Sequence, residues 1–133
     1  GSNFNLAAAD MSGVRRLLKA LKQGQAVGML PDQVPGVGEG VWALFFGRPA
    51  YTMTLAARLA ETGATVIFTY AERLPYGAGY HLYFLPLSQP LTGDLAARAA
   101  QINADIEGLI RQCPAQYLWG YNRYKVPPGV RRL

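Results

Sequence analysis

A chain of 133 residues, half of them hydrophobic, carries enough apolar surface for one compact domain and is too short for two. Its apolar runs are broken every few positions by Gly, Pro or charge, so none reaches the roughly 18 apolar residues that a membrane-spanning helix needs; the single cysteine, Cys113, excludes an internal disulfide and a cysteine-built zinc site. A net charge of +5 favours an anionic partner, be it phosphate, nucleic acid, an acidic carrier protein or a lipid headgroup surface.

In chain order, the N-terminal residues lack the basic start and apolar run of a signal peptide. Val14, Leu17, Leu18 and Leu21 then recur at the i, i+3, i+4, i+7 spacing of an amphipathic helix, with Asp10 or Ser12 as its cap and Gly24 as its stop. Arg15, Arg16, Lys19 and Lys22 stripe the opposite face. Such a stripe either only solubilises the helix or, through Arg15 and Lys19, meets phosphate or an anionic membrane surface.

Residues 26–30 are continuously apolar between Gly24 and Pro31, the pattern of a short strand buried on both faces, and they place Asp32 and Gln33 at its C-terminal end. Residues 34–40, with Pro35, Gly36, Gly38 and Gly40, read as an irregular loop leaving the sheet, where α/β proteins commonly keep function. A second helix is expected over residues 51–61, with Thr52 or Thr54 near its start and Gly63 as its stop.

Residues 65–70 and 80–85 are β-branched and aromatic, and Pro75-Tyr76-Gly77-Ala78-Gly79 joins them as a hairpin. The last helix begins near Asp94, buries Leu95, Ala99, Ile102, Ile106 and Leu109, and stops at Pro114. Cys113, at its end, reads as a structural thiol. An aromatic segment over 117–121 and Asn122-Arg123-Tyr124-Lys125 follow, and residues 126–133 are expected to fray.

No linker or repeat divides residues 1–133, which read as a single unit. The expected class is α/β: a partial mixed sheet of about three strands, a right-handed βαβ crossover followed by a hairpin, and about three flanking helices. A sheet that narrow, buried on both faces, keeps an open edge, so it reads as part of a larger sheet.

The passages Gly28-Met29-Leu30-Pro31-Asp32-Gln33 and Phe45-Phe46-Gly47-Arg48-Pro49-Ala50, then Thr52-Met53-Thr54, Leu55-Ala56-Ala57-Arg58-Leu59, Glu72-Arg73 and Gly79-Tyr80, resemble the lipid A biosynthesis lauroyl/myristoyl acyltransferases of the lysophospholipid acyltransferase superfamily. The closing Pro114-Ala115-Gln116-Tyr117-Leu118-Trp119 and Arg123-Tyr124-Lys125 are similar to that family's Pro-x-Gln-Tyr-x-Trp and Arg-aromatic-Lys signature.

The resemblance implies transfer of a fatty acyl chain from acyl carrier protein to a lipid A precursor, at the cytoplasmic face of the inner membrane of a Gram-negative cell. It implies no cofactor and no nucleic-acid partner. It also implies a histidine followed five residues later by Asp or Glu, the histidine activating a hydroxyl for attack on a thioester. The one histidine here, His81, is followed at that spacing by Pro86 and reads as structural or surface. The chain therefore reads as a C-terminal fragment, inactive alone, whose partners include the missing N-terminal half.

Under the same resemblance Asp32 and Gln33 take the place of an acidic substrate-binding block, although Asp32 could instead only cap the turn after Pro31. Arg48, ahead of the second helix, is a candidate to hold a phosphate with that helix's free N–H groups, or could pair with Asp32 or Glu39. Arg73, Arg123 and Lys125 are further candidates for phosphate or membrane contact. Trp42 is the aromatic candidate for a lipid contact, whereas Phe45, Phe46 and Met53 suit either core packing or an acyl wall.

Two rival classes remain open at this stage. Gly36-Val37-Gly38-Glu39-Gly40 suggests a phosphate- or nucleotide-binding module, although it lacks the Lys-Ser/Thr of a P-loop. The basic helix and aromatic tail suggest a nucleic-acid binder.

Overall fold

The computed structural model describes residues 5–8 and 10–133. Helix α1 (Met11–Lys22) starts where the spacing predicts: Asp10 caps it, its carboxylate accepting from the Gly13 N–H at 2.9 Å and from the Ser12 hydroxyl at 2.6 Å. Gly13 is buried because the Ala8 backbone lies against it, where an added Cβ would stand 1.8 Å from the Ala8 carbonyl oxygen. Helix α1 carries no acid in its first turn and Lys19 and Lys22 in its last.

Residues 26–30 do not form the expected strand. They run extended, Leu30 is 63 % exposed, and among the described residues none of their N–H groups donates to another backbone. An apolar run specifies burial but not a partner edge, and no strand among the described residues pairs with this one.

The loop expected before the second helix instead contributes a hairpin: β1 (Gly40–Phe45) pairs antiparallel with β2 (Arg48–Met53), Phe45 opposite Arg48. The two-residue turn between them has positive φ at Phe46 (47°) and Gly47 (71°), as a type I′ turn requires. Phe46 tolerates this conformation because its N–H donates to Glu107 Oε1 at 2.7 Å. Tyr51 and Thr52, expected in a helix, pair with Trp42 and Val41, so α2 (Leu55–Ala60) starts later and is shorter than expected.

Strands β3 (Ile67–Arg73) and β4 (Tyr80–Pro86) form the expected hairpin, with Tyr70 stacked on Tyr83 at 4.6 Å. Among the described residues the sheets are thus two antiparallel pairs, and the expected parallel βαβ crossover is not formed, because residues 26–30 do not pair with β3. The α/β class stands, with three α-helices among the described residues.

Helix α3 (Leu95–Gln112) unites the pairs. Asp94 caps it through Ala97 N–H at 2.8 Å, and on its buried face Ile102, Ile106 and Ile110 form one cluster with Phe45, Ala50, Ala57 and Phe68. An isolated hairpin is marginal in water, so each sheet depends on this helix for its apolar cover. Phe45, 2 % exposed, contributes about 2 to 3 kcal/mol by burial.

Candidate functional site

Between the extended segment and β3 lies a cavity of about 460 Å³, lined by residues 27–32 on one side and 64–71 on the other, with Ile102, Ile106 and Leu109 of α3 and Leu59 of α2 among its apolar walls. Asp32, Tyr117, Gln116 and Cys113 bring polar groups to it.

Asp32 is half-buried and held by the C-terminal aromatic segment. The Tyr117 hydroxyl donates to Asp32 Oδ2 at 3.4 Å, and the Tyr121 hydroxyl accepts from the Val34 N–H at 2.8 Å. The two tyrosines therefore grip the chain at both ends of residues 32–34. Burial, and then the negative charge of Asp32, push the Tyr117 hydroxyl up to about 12, so it remains a donor at neutral pH.

Arg123 lies inside, not at the surface expected for a phosphate or membrane contact. It is 3 % exposed, with Nη1 donating to the Tyr51 carbonyl at 2.9 Å and Nη2 to Thr52 Oγ1 at 2.9 Å and Asn103 Oδ1 at 3.3 Å. Its guanidinium stands 5.1 Å from the Phe45 ring centre. Burial pushes its pKa down, partly offset by the hydroxyl of Tyr117 and the carboxylate of Asp32. Arg123 thereby ties the C-terminal segment to β2, through Tyr51 and Thr52, and to α3, through Asn103.

The other candidates are dispersed. Arg48 opens β2 and not a helix, so it meets no helix N-terminus; its guanidinium stacks 4.2 Å over Tyr124. Arg73 is exposed at the end of β3, its N–H donating to Gln116 Oε1 at 2.8 Å. Trp42 is half-buried, edge-on to Tyr51 at 5.7 Å, with its indole N–H on the Arg131 carbonyl at 3.2 Å.

Lys125 sits 5.5 Å over the Tyr121 ring, and Gln33 is exposed beside Asp32. Arg15 and Lys19 are exposed on α1 with no ion pair among the described residues. His81 is exposed on β4, its ring 4.5 Å from Tyr83, and the Glu72 carboxylate opposite it accepts from the Tyr83 hydroxyl at 2.9 Å.

The Gly-rich loop offers no open cradle of amides. Gly38 and Gly40 N–H both donate to the Tyr51 hydroxyl at 3.2 Å, and Gly36 N–H to Glu39 Oε2 at 3.1 Å. Among the described residues no three His, Cys, Asp or Glu side chains converge as a metal site, and no helix is long and apolar enough to cross a membrane.

Asn103 was not singled out in the sequence, and Tyr117, Tyr121 and Thr52 were named there only within motifs, the aromatic segment or a helix start, not as site residues. Asn103 carried a usable signal: an amide between Ile102 and Ile106 on an apolar helix face, now 0 % exposed, must find partners inside. It donates to the Leu44 carbonyl at 2.9 Å and Thr52 Oγ1 at 3.1 Å.

Residues 2–126 match the model of the family described as bacterial lipid A biosynthesis acyltransferase. The chain is similar to the lipid A biosynthesis lauroyltransferase of Escherichia coli, 36 % identical over 131 residues that make up 95 % of this chain and 42 % of the relative. It is 32 % identical over 126 residues to the lipid A biosynthesis palmitoleoyltransferase of the same organism, covering 93 % of this chain and 41 % of the relative. A lipid A biosynthesis acyltransferase of Haemophilus influenzae is 24 % identical over 111 residues, 84 % of this chain and 35 % of the relative. The chain spans about two fifths of the length of the first two of these relatives. It belongs to the bacterial lipid A biosynthesis acyltransferase family.

Proposed function

We propose that this chain is the C-terminal, substrate-side part of an acyltransferase that moves a fatty acyl chain from acyl carrier protein to a hydroxyacyl chain of a lipid A precursor. The parent works in lipopolysaccharide biosynthesis at the cytoplasmic face of the inner membrane, and the 133 residues alone are inactive. The carrying observation is the grip on Asp32. A carboxylate that receives the Tyr117 hydroxyl, on a segment anchored by Tyr121, is a fixed acceptor suited to orienting a substrate hydroxyl.

The reaction also needs a base near neutral pKa to take the proton of the attacking hydroxyl. His81 does not suit that role: it is exposed on β4, packs on Tyr83, and its nearest acid across the strand pair is engaged by a tyrosine. A histidine followed five residues later by an acid, supplied by the part of the parent preceding this chain, fills it. The missing N-terminal half is in this sense a partner.

The exposed cations of α1, Arg15 and Lys19 among them, suit the phosphates of the sugar or an anionic membrane surface; each such contact contributes about 1 kcal/mol at a charged bilayer. Lys125, Arg48 and Arg73 are exposed enough to add to it.

Asp32→Asn in the parent polypeptide tests the reading. Transfer from fatty acyl carrier protein to a phosphorylated, hydroxyacylated glucosamine disaccharide is expected to fall by at least about tenfold in kcat/KM. Unchanged kinetics would remove Asp32 from the substrate site.

A further inference from the structure

We propose that the cavity between residues 27–32 and β3 is a slot for one β-strand, filled by an extended, uncharged segment of the parent polypeptide outside these 133 residues. The proposal rests on reading the chain as part of a longer acyltransferase. In an extended chain alternate side chains point to opposite faces, so a run of consecutive residues lines a cavity only with its edge. Both sides of this cavity are such runs, 27–32 and 64–71.

Among the described residues strand β3 pairs with β4 alone, its second edge being engaged only at Arg73 by the Gln116 side-chain amide, and residues 26–30 donate no backbone hydrogen bond, with only the Leu30 carbonyl accepting one. Two backbone edges without a strand partner therefore face one gap. Edges left open in finished proteins are usually blunted by Lys, Pro or a bulge, yet residues 64–71, Ala-Thr-Val-Ile-Phe-Thr-Tyr-Ala, carry none of these.

The cavity's volume suits a hydrocarbon chain as well as a strand, but the edges do not. A hydrocarbon offers neither donor nor acceptor, and would bury the N–H and C=O groups of both runs unpaired. A strand satisfies both edges at once and fuses residues 26–30, itself and the β3–β4 pair into one sheet. The length that the relatives have beyond this chain is ample to supply it. Ile67, among the cavity's lining residues, is 49 % exposed without such a strand.

Amide hydrogen exchange read by mass spectrometry, on the 133-residue chain and on the uninterrupted parent, tests this. Peptides spanning 66–71 and 27–30 are expected to exchange about a hundredfold more slowly in the parent. Equal, fast exchange at 27–30 in a parent that transfers acyl chains overturns the slot and leaves the function intact; protection in a parent without transfer activity supports the slot and counts against the function. Slow exchange at 66–71 in the isolated chain accompanied by dimers in sedimentation would assign the edge to a second copy. Saturable binding of lauric acid to the parent, competing with that protection, would assign the cavity to lipid; either result overturns the proposal.

Discussion

Arg123 donates to the side-chain carbonyl of Asn103 at 3.3 Å within the core, where the two residues are 3 % and 0 % exposed. Both also donate to Thr52 Oγ1, which in turn donates to the Ala50 carbonyl at 3.0 Å, so one hydroxyl ties the C-terminal segment, α3 and β2 together. Arg123→Met leaves the Tyr51 carbonyl, Thr52 and Asn103 short of a donor and is expected to cost about 3 kcal/mol, read as a lower urea midpoint. Arg123→Lys keeps the charge but not the planar fork and is expected to recover less than half of it. A midpoint unchanged in Arg123→Met would show that the network contributes little.

What was legible in the sequence follows from where local signals agree with tertiary partners. Helices α1 and α3 carry a cap, an apolar stripe and a stop, and each forms as read, with Asp10 and Asp94 capping. The β3–β4 pair has β-branched and aromatic runs separated by Pro and Gly. The β1–β2 hairpin escaped because its turn uses Phe46-Gly47, in place of the Asn-Gly or Asp-Gly that announces a type I′ turn, and because Pro49 argues against a strand. Residues 26–30 misled because an apolar run looks the same whether or not a neighbouring edge is present. Asp32 became a candidate through the resemblance and its place after an apolar segment; that Tyr117 and Tyr121 hold it and its neighbour Val34 was not readable, since those contacts span 85 and 87 residues.

Removing the Tyr121 hydroxyl should loosen Asp32 without touching it. Tyr121→Phe strips the Val34 N–H of its acceptor and is expected to cost about 1 kcal/mol in stability. In the parent it should raise KM for the lipid acceptor several-fold with a smaller change in kcat. A change confined to stability would separate the tyrosine from the site.

Tyr117 sets a pH dependence at the alkaline end. Its hydroxyl is raised from 10.0 to about 12 by burial and by Asp32, so the folded chain holds that proton more tightly than the unfolded chain. The resulting stability is fully present below pH 10 and is lost as pH rises through about 12. Ultraviolet titration should show a late-ionising tyrosine that is absent in Tyr117→Phe. Loss of an early-ionising tyrosine in that variant would contradict the contact with Asp32.

His81 is expected to be dispensable. Replacing this exposed imidazole with Ala removes a ring packed on Tyr83 and should leave the parent's acyl transfer within about twofold, at a stability cost below about 1 kcal/mol. A loss of a hundredfold or more would return it to the catalytic machinery.

The most direct measurement compares acyl transfer from fatty acyl carrier protein to a lipid A precursor by the 133-residue chain and by the uninterrupted parent. The parent is expected to turn over while the chain alone stays at the rate of the uncatalysed reaction. Turnover by the isolated chain, lost on His81→Ala, would contradict the assignment of the base to a segment outside it.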